Sequence, residues 1–168
     1  MNIVQTNQLT VSQKEEITLL KQCCYAPENL QGDPFLSNEI NWDKNIPCFY
    51  LGYEDTQLVA FLTTFVPQRA EAEITAFTHP NWRNRGCFLQ LYSAAYKVLK
   101  QAGTQRVLFV LAPQAKGGKT ALQHFKNAEW LRSEYRMYSN TVCKQSPSAL
   151  FSLQLVTQQS RELLLRLM

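Results

Sequence analysis

The segment Thr78-His-Pro-Asn-Trp-Arg-Asn-Arg-Gly-Cys-Phe88 gathers the residues of this chain best suited to hold an anion. It lies between a strand-like run, Glu71–Thr78, and an amphipathic helical run, Gly86–Ala102. A helix that opens from a tight, glycine-containing turn presents unpaired N–H groups, and its macrodipole adds ~0.3–1 kcal/mol toward a negative group. Arg83 and Arg85 bring formal positive charge to the same place. The loop Arg83, Asn84, Arg85, Gly86, Cys87 and Phe88 is therefore the first candidate binding site. On the strand before it, the two-residue period puts Glu73, Thr75 and Phe77 on one face, with Glu71 farther along it. Glu73 is the carboxylate best placed to take a proton near the loop, and Glu71 is its alternate.

The elements that must position these residues are legible from patterning. Ser12-Gln-Lys-Glu15 is a capping-box sequence, and Ile17, Leu20 and Cys24 follow at helical spacing, which predicts a helix over Val11–Tyr25 after a short strand within Ile3–Leu9. Ala26–Pro47 carries Pro, Gly, Asp and Asn around isolated Phe35 and Trp42 and reads as a loop with one short helix. Cys48–Tyr53 and Leu58–Val66, separated by Glu54-Asp-Thr-Gln57, read as a hairpin, and Glu71–Thr78 returns as a third strand. Phe88, Leu91, Tyr92, Ala95, Val98, Leu99 and Ala102 make one helical face that Gly103 terminates. The apolar run Val107–Ala112 suits a central strand buried on both faces. A helix over Thr120–Ala128, with Leu122 and Phe125 inward, and a strand over Leu131–Tyr138 complete the pattern. Beyond them, Ala149–Val156 reads as a strand and Ser160–Met168 as a helix. These last residues form either a terminal strand plus helix, packed on a partner chain as in a homodimer, or a shortened second unit within 139–168. The expected fold is a single α/β (α+β) domain over residues 1–168, a mixed and mostly antiparallel sheet flanked by helices.

The run Glu73-Ile-Thr-Ala-Phe-Thr-His-Pro-Asn-Trp-Arg-Asn-Arg-Gly-Cys-Phe-Leu89 resembles the pyrophosphate loop of the GNAT superfamily of N-acetyltransferases, with Arg83 and Gly86 matching Arg-x-x-Gly-x-(Gly/Ala) and Phe88 replacing the last small residue. The resemblance spans roughly Cys48 to Tyr138. It implies acetyl-CoA as acyl donor, held at Ala76, Phe77 and Thr78 as well as at residues 83–88, with a backbone N–H near Phe77 or Thr78 polarising the thioester carbonyl. It also implies direct attack by the amine of a small molecule or protein in a ternary complex. The ammonium must first lose a proton, a role suited to Glu73. The family's proton-donating Tyr falls on Phe125, which has none to give. Tyr135 on the following strand is the nearest substitute. Phe88 is expected to narrow the turn, and Cys87 to serve as packing at a position the family fills with an apolar residue.

Composition limits the alternatives. With 168 residues, 45% of them hydrophobic, the chain supports one core. No apolar run reaches the ~18–20 residues of a membrane span, and no basic-then-apolar leader opens the chain, so no secretory signal is expected. Cys23, Cys24, Cys48, Cys87 and Cys143 include no C-x-x-C pair, which points to a reduced, cytoplasmic protein with neither a disulfide framework nor a metal site. The net charge of +4 is spread along the chain and decides nothing about nucleic acid. Two other functions stay open: a CoA-binding module without turnover, and a nucleotide or nucleic-acid binder using Lys116-Gly-Gly-Lys-Thr120. The latter follows an apolar run as a Walker A loop does, but has Pro113 where the first glycine belongs.

Overall fold

The computed structural model describes residues 1–134. Five strands, β1 (Asn2–Thr6), β2 (Phe49–Glu54), β3 (Gln57–Gln68), β4 (Glu71–Thr78) and β5 (Arg106–Phe109), form one sheet in the order β1-β2-β3-β4-β5. β1 through β4 are antiparallel neighbours, and β5 runs parallel to β4. Three helices accompany it: α1 (Val11–Tyr25), α2 (Cys87–Ala102) and α3 (Lys116–Leu122). The chain divides into the unit Met1–Ala128, which holds all of these elements, and Glu129–Met168, of which Glu129–Glu134 are described.

The sheet separates two apolar layers. On one side Ile17, Leu20 and Cys24 of α1 pack with Leu51, Phe61 and Phe77. On the other, Cys87, Leu91, Ala95 and Leu99 of α2 pack with Tyr50, Leu62, Val66 and Ile74. Full burial of a side chain such as Leu91 or Phe61 contributes ~1.5–3 kcal/mol, so the two helical stripes fix which sheet face each helix covers. α1 has the expected bounds, but its capping box is Thr10 with Gln13, each bonding the other's backbone N–H, and not Ser12 with Glu15. Thr10 wins because it is the last extended residue, with ψ at 166°, before the helical turn begins. The tight turn of the β2–β3 hairpin places Asp55 at φ 51°, a left-handed position that Asp tolerates. The loop from Ala26 to Pro47 begins with a short 3₁₀ turn, Ala26–Glu28. It is pinned to β3 by the buried Asn41, whose Oδ1 accepts the Val66 N–H at 2.7 Å, while the Trp42 N–H donates to the Val66 carbonyl at 2.9 Å.

Three expectations fail after α2. β5 is shorter than Val107–Ala112 and is half-buried where full burial was expected. The following helix covers Lys116–Leu122 and not Thr120–Ala128. Gly117 and Gly118, which read as loop, are helical because a carboxylate receives the first helical N–H (Glu28 Oε2 from Lys116 N, 2.8 Å) and because bare glycine lets α3 approach Leu111. Past Leu122 the chain tightens through i→i−3 bonds such as Phe125 N to Leu122 O at 2.9 Å, so Phe125 follows the helix. Of the strand expected over Leu131–Tyr138, Leu131–Glu134 are not strand, with Trp130 and Leu131 80% and 50% exposed, and the rest lies outside the described residues. Tyr135 and the elements expected over Ala149–Val156 and Ser160–Met168 lie outside the described residues.

Burial pushes the thiols of Cys24 and Cys48 up to about 11 and about 12, and raises that of Cys87 as well. Cys23 is exposed. Since the thiolate is the reactive form, brief alkylation of the folded protein at pH 8 followed by peptide mapping should modify Cys23 and leave Cys24, Cys48 and Cys87 unmodified. Modification of Cys48 at the rate of Cys23 would contradict this packing.

Candidate active site

β4 pairs with β3 over its length, Thr78 lying opposite Ala60 and Glu71 opposite Gln68, but its ladder with β5 stops at Ile74–Phe109. Strand backbones point alternately to the two neighbours. The Val110 N–H donates to the Ile74 carbonyl at 3.1 Å, and the His79 N–H donates to the Val59 carbonyl at 2.9 Å. Even-numbered residues of β4 therefore face β5 and odd-numbered ones face β3. Beyond Ile74 this leaves the Ala76 and Thr78 N–H groups without a ladder partner among the described residues. The Phe77 N–H belongs to the β3 ladder, which removes it as the carbonyl-polarising donor and leaves Thr78, with Ala76 beside it.

From Thr78 the chain passes through a 3₁₀ turn, Pro80–Trp82, capped by His79 Nδ1, which accepts the Asn81 N–H at 3.3 Å. It then takes two left-handed positions, Asn84 at φ 60° and Gly86 at φ 78°, and enters α2. Gly86 is the N-cap of α2 and, lacking a side chain, leaves the first-turn N–H groups uncapped. A Cβ on Gly86 would meet only Gln90 Nε2, at 3.9 Å, so the mouth of the loop is open. The arrangement suits a pyrophosphate: unpaired donors, a helix dipole and space converge on one point.

The side chains of the loop divide their work. The Arg85 guanidinium lies 4.7 Å from the Trp82 ring centre and is exposed. Arg83 turns inward, donating from Nη1 to Glu28 Oε1 at 2.7 Å and from Nε to the Thr78 carbonyl at 3.4 Å. The buried Cys87 thiol donates to the Trp82 carbonyl at 3.5 Å and is core packing. Phe88 does not narrow the turn. Its ring packs away from it among Tyr92, Phe109 and Phe125, with centroid distances of 6.1, 6.5 and 6.2 Å. Phe125 fits the same cluster, 4.8 Å from both Tyr92 and Phe109.

Glu73 sits on the α1 side of β4 with Phe77, as alternation requires, directly opposite Phe65 of β3. Glu71 is committed to Arg106, 2.6 Å away, whereas Glu73 makes no hydrogen bond or ion pair among the described residues. Its surroundings include groups not singled out from sequence. The Phe35 ring lies 5.0 Å from that of Phe65, and Thr63 Oγ1 donates to the Phe35 carbonyl at 3.3 Å, so the loop from Ala26 to Pro47 walls this face. An isolated aromatic in a loop was the only signal for Phe35, and Glu28 had none. The Walker-like segment does not form a phosphate loop: Lys116–Thr120 is helical, and its first N–H is taken by Glu28. Among the described residues no group of His, Cys, Asp and Glu is placed to hold a metal, and no helix is long and apolar enough to cross a membrane.

Fourth and fifth strands that part after Ile74 and a helix that starts without a side-chain cap give an α/β fold with open backbone donors for an anionic ligand. The model of the acetyltransferase (GNAT) family matches residues 14–121, well over half of the chain, and the chain belongs to that family. It is an acetyl-CoA-dependent N-acetyltransferase. No curated protein matches it. Similar solved structures include a ribosomal-protein-alanine N-acetyltransferase from Brucella melitensis biovar Abortus 2308, 16% identical, covering 81% of this chain and 98% of that one with a TM-score of 0.58. An aminoglycoside acetyltransferase from an uncultured soil metagenomic sample, in complex with sisomicin, is 15% identical over 83% of this chain and 96% of that one, with a TM-score of 0.56. The aminoglycoside N-acetyltransferase AAC(6')-Iy in complex with CoA is 16% identical over 82% and 93%, with a TM-score of 0.57. At such identities the likeness shows the fold.

The backbone at Gly86 gives a direct test. Gly86→Ala places a Cβ in a left-handed conformation in open space, so strain and not collision sets the cost, ~1–2 kcal/mol. Thermal denaturation should show that loss, and calorimetry should show CoA binding weakened ~10-fold, the equivalent of about 1.4 kcal/mol. Gly86→Asn, which tolerates this conformation, should lose less of both.

Proposed function

We propose that the chain acetylates a primary amine of a small molecule or protein, with Glu73 as the base and the loop 83–88 as the seat of the donor's pyrophosphate. The observation that carries this reading is the parting of β4 from β5 after Ile74, on a strand whose Ile74 and Ala76 pack in one cluster with Cys87, the first residue of the uncapped α2. The backbone N–H groups of Gly86, Cys87 and Phe88, with the Arg85 side chain, would hold the pyrophosphate, and the Ala76–Thr78 edge would hold the acyl end. Acetyl-CoA supplies an acyl group activated as a thioester.

An alkylamine reaches the site mostly protonated near neutral pH, and the Glu73 carboxylate, without an ion pair among the described residues, accepts its proton directly or through one water. The Thr78 N–H, aimed at the side β5 has left, donates to the thioester oxygen. The Phe35–Phe65 wall supports a small-molecule acceptor over an open peptide groove. Phe125 offers no proton, so we assign the donor role to Tyr135, which follows the described residues. Free thiols at Cys23, Cys24, Cys48 and Cys87 support a cytoplasmic setting.

Thiol release from acetyl-CoA, measured with a panel of alkylamines, polyamines, aminoglycosides and peptides with free N-termini, tests the reading. At least one amine should accelerate release. Tight CoA binding with none doing so would instead identify a binding module. With the best acceptor, Glu73→Gln should lower kcat by ~10²–10⁴-fold and Tyr135→Phe by ~10²-fold, the usual worth of a general base or acid, with the KM for acetyl-CoA little changed. Wild-type turnover in either variant removes that residue from the mechanism.

A further inference from the structure

Glu28 belongs to neither the anion loop nor the strand before it, yet it binds two other segments of the chain at once. Its Oε1 accepts from Arg83 Nη1 at 2.7 Å and its Oε2 accepts from the Lys116 backbone N–H at 2.8 Å, partners 55 and 88 residues away. The Glu28 side chain is 10% exposed and that of Arg83 32%. The arginine is held from two further directions. Its Nε donates to the Thr78 carbonyl, and its guanidinium lies so close to α3 that a Cβ on Gly117 would sit 3.4 Å from Cζ. Thr78 is itself tied to α1, since the Cys24 thiol donates to the same carbonyl at 3.3 Å.

We propose that Glu28 is a positioning residue for the cofactor loop. It clips Arg83 and the first turn of α3 to the end of α1, and so holds the Thr78–Phe88 turn in the shape that leaves the start of α2 open. The inference rests on the reading that this loop seats the pyrophosphate of CoA. The two loop arginines then have separate roles. Arg83 is committed to the clip, and Arg85, which has no ion pair among the described residues, is the side chain that meets phosphate. A carboxylate with two charge-assisted bonds on rigid partners is a strong tie. Removing one member leaves the other charge uncompensated in a poorly hydrated place, which is why such ties are costly to break. Glu28 does not repel a phosphate at the loop, because both its oxygens are engaged and its charge is cancelled by Arg83.

The test is calorimetric titration with CoA and steady-state kinetics on the wild type, Glu28→Ala, Glu28→Gln, Arg83→Ala, Arg85→Ala and the Glu28→Ala/Arg83→Ala double variant. Glu28→Ala and Arg83→Ala should each weaken CoA binding ~10-fold, and the double variant should be no worse than either alone, since both break one unit. Arg85→Ala combined with Glu28→Ala should multiply the losses. The KM for acetyl-CoA should rise while kcat at saturation stays within ~3-fold, a split that uniform loss of binding produces and general destabilisation does not. Multiplying effects of Glu28→Ala and Arg83→Ala, unchanged or tighter CoA binding in Glu28→Ala, or a fall in kcat at constant KM would each overturn the clip. Should Glu28→Ala fail to fold, Glu28→Gln decides: it keeps the volume but offers only one acceptor, and its KM must still rise. A wild type that binds no CoA overturns the cofactor reading and the clip together, whereas wild-type binding with unaffected Glu28 variants overturns the clip alone.

Discussion

Because β4 pairs with β3 to its last residue but with β5 only as far as Ile74, two of its N–H groups leave the ladder within the fold. Backbone donors in partly buried places need partners, and those of Ala76 and Thr78 have none in a ladder among the described residues, which leaves them suited to a ligand lying along this edge. The parting also decides where the next elements go. The end of β4 runs past its ladder with β5, turns through Pro80–Trp82, and leads through Gly86 into α2, whose first residue, Cys87, packs in one cluster with Ile74 and Ala76. The strand edge and the helix N-terminus thus form one extended donor surface, suited to a long ligand with a carbonyl at one end and a pyrophosphate farther along.

Such a surface is useful only if it is rigid, and the end of β4 is held from both sheet faces. On the α1 side Tyr25 meets Phe77 edge-on at 5.4 Å and Phe77 stacks on Phe61 at 6.1 Å, while Cys24 and Arg83 share the Thr78 carbonyl. On the α2 side Cys87, Leu91, Ala95 and Leu99 bind the helix to the sheet along one stripe. Polar groups on a strand tip fastened this way do not reorganise when charge develops near them, which is the condition under which fixed donors accelerate a reaction most.

Most of this frame was legible in the sequence where one local rule was enough. The period-two runs gave β4 its bounds and Glu73 its face, and the apolar stripe with Gly103 at its end gave α2. Legibility ended where tertiary contacts overrode local preference. Gly117-Gly118 reads as a breaker, but the Glu28 carboxylate and the close approach to Leu111 make it helix, which moves α3 toward the N-terminus and leaves Phe125 beyond it. Val107–Ala112 has the composition of a longer strand, and no local rule stops its ladder with β4 at Phe109. Arg83 and Arg85 are alike by type and spacing. Only the fold shows one turned inward to a glutamate far off in sequence and the other stacked on Trp82 in solvent.

The aromatic cluster bears on how the chemistry is shared among residues. Phe88, Tyr92, Phe109 and Phe125 pack as one group, so both departures from the family's motif, Phe for a small residue at 88 and Phe for Tyr at 125, serve a single apolar cluster. Phe125 is half-buried in that cluster and, without a hydroxyl, contributes packing and no proton. The position has been given over to packing. A thiol with a pKa near about 8.5 can leave as its anion around neutral pH without a dedicated donor, whereas an alkylammonium cannot attack until it has lost a proton. The substitution therefore removes help from the step that needs it less. The greater demand falls on the carboxylate side of the site, where Glu73 has no ion pair among the described residues and Glu71 is bound to Arg106.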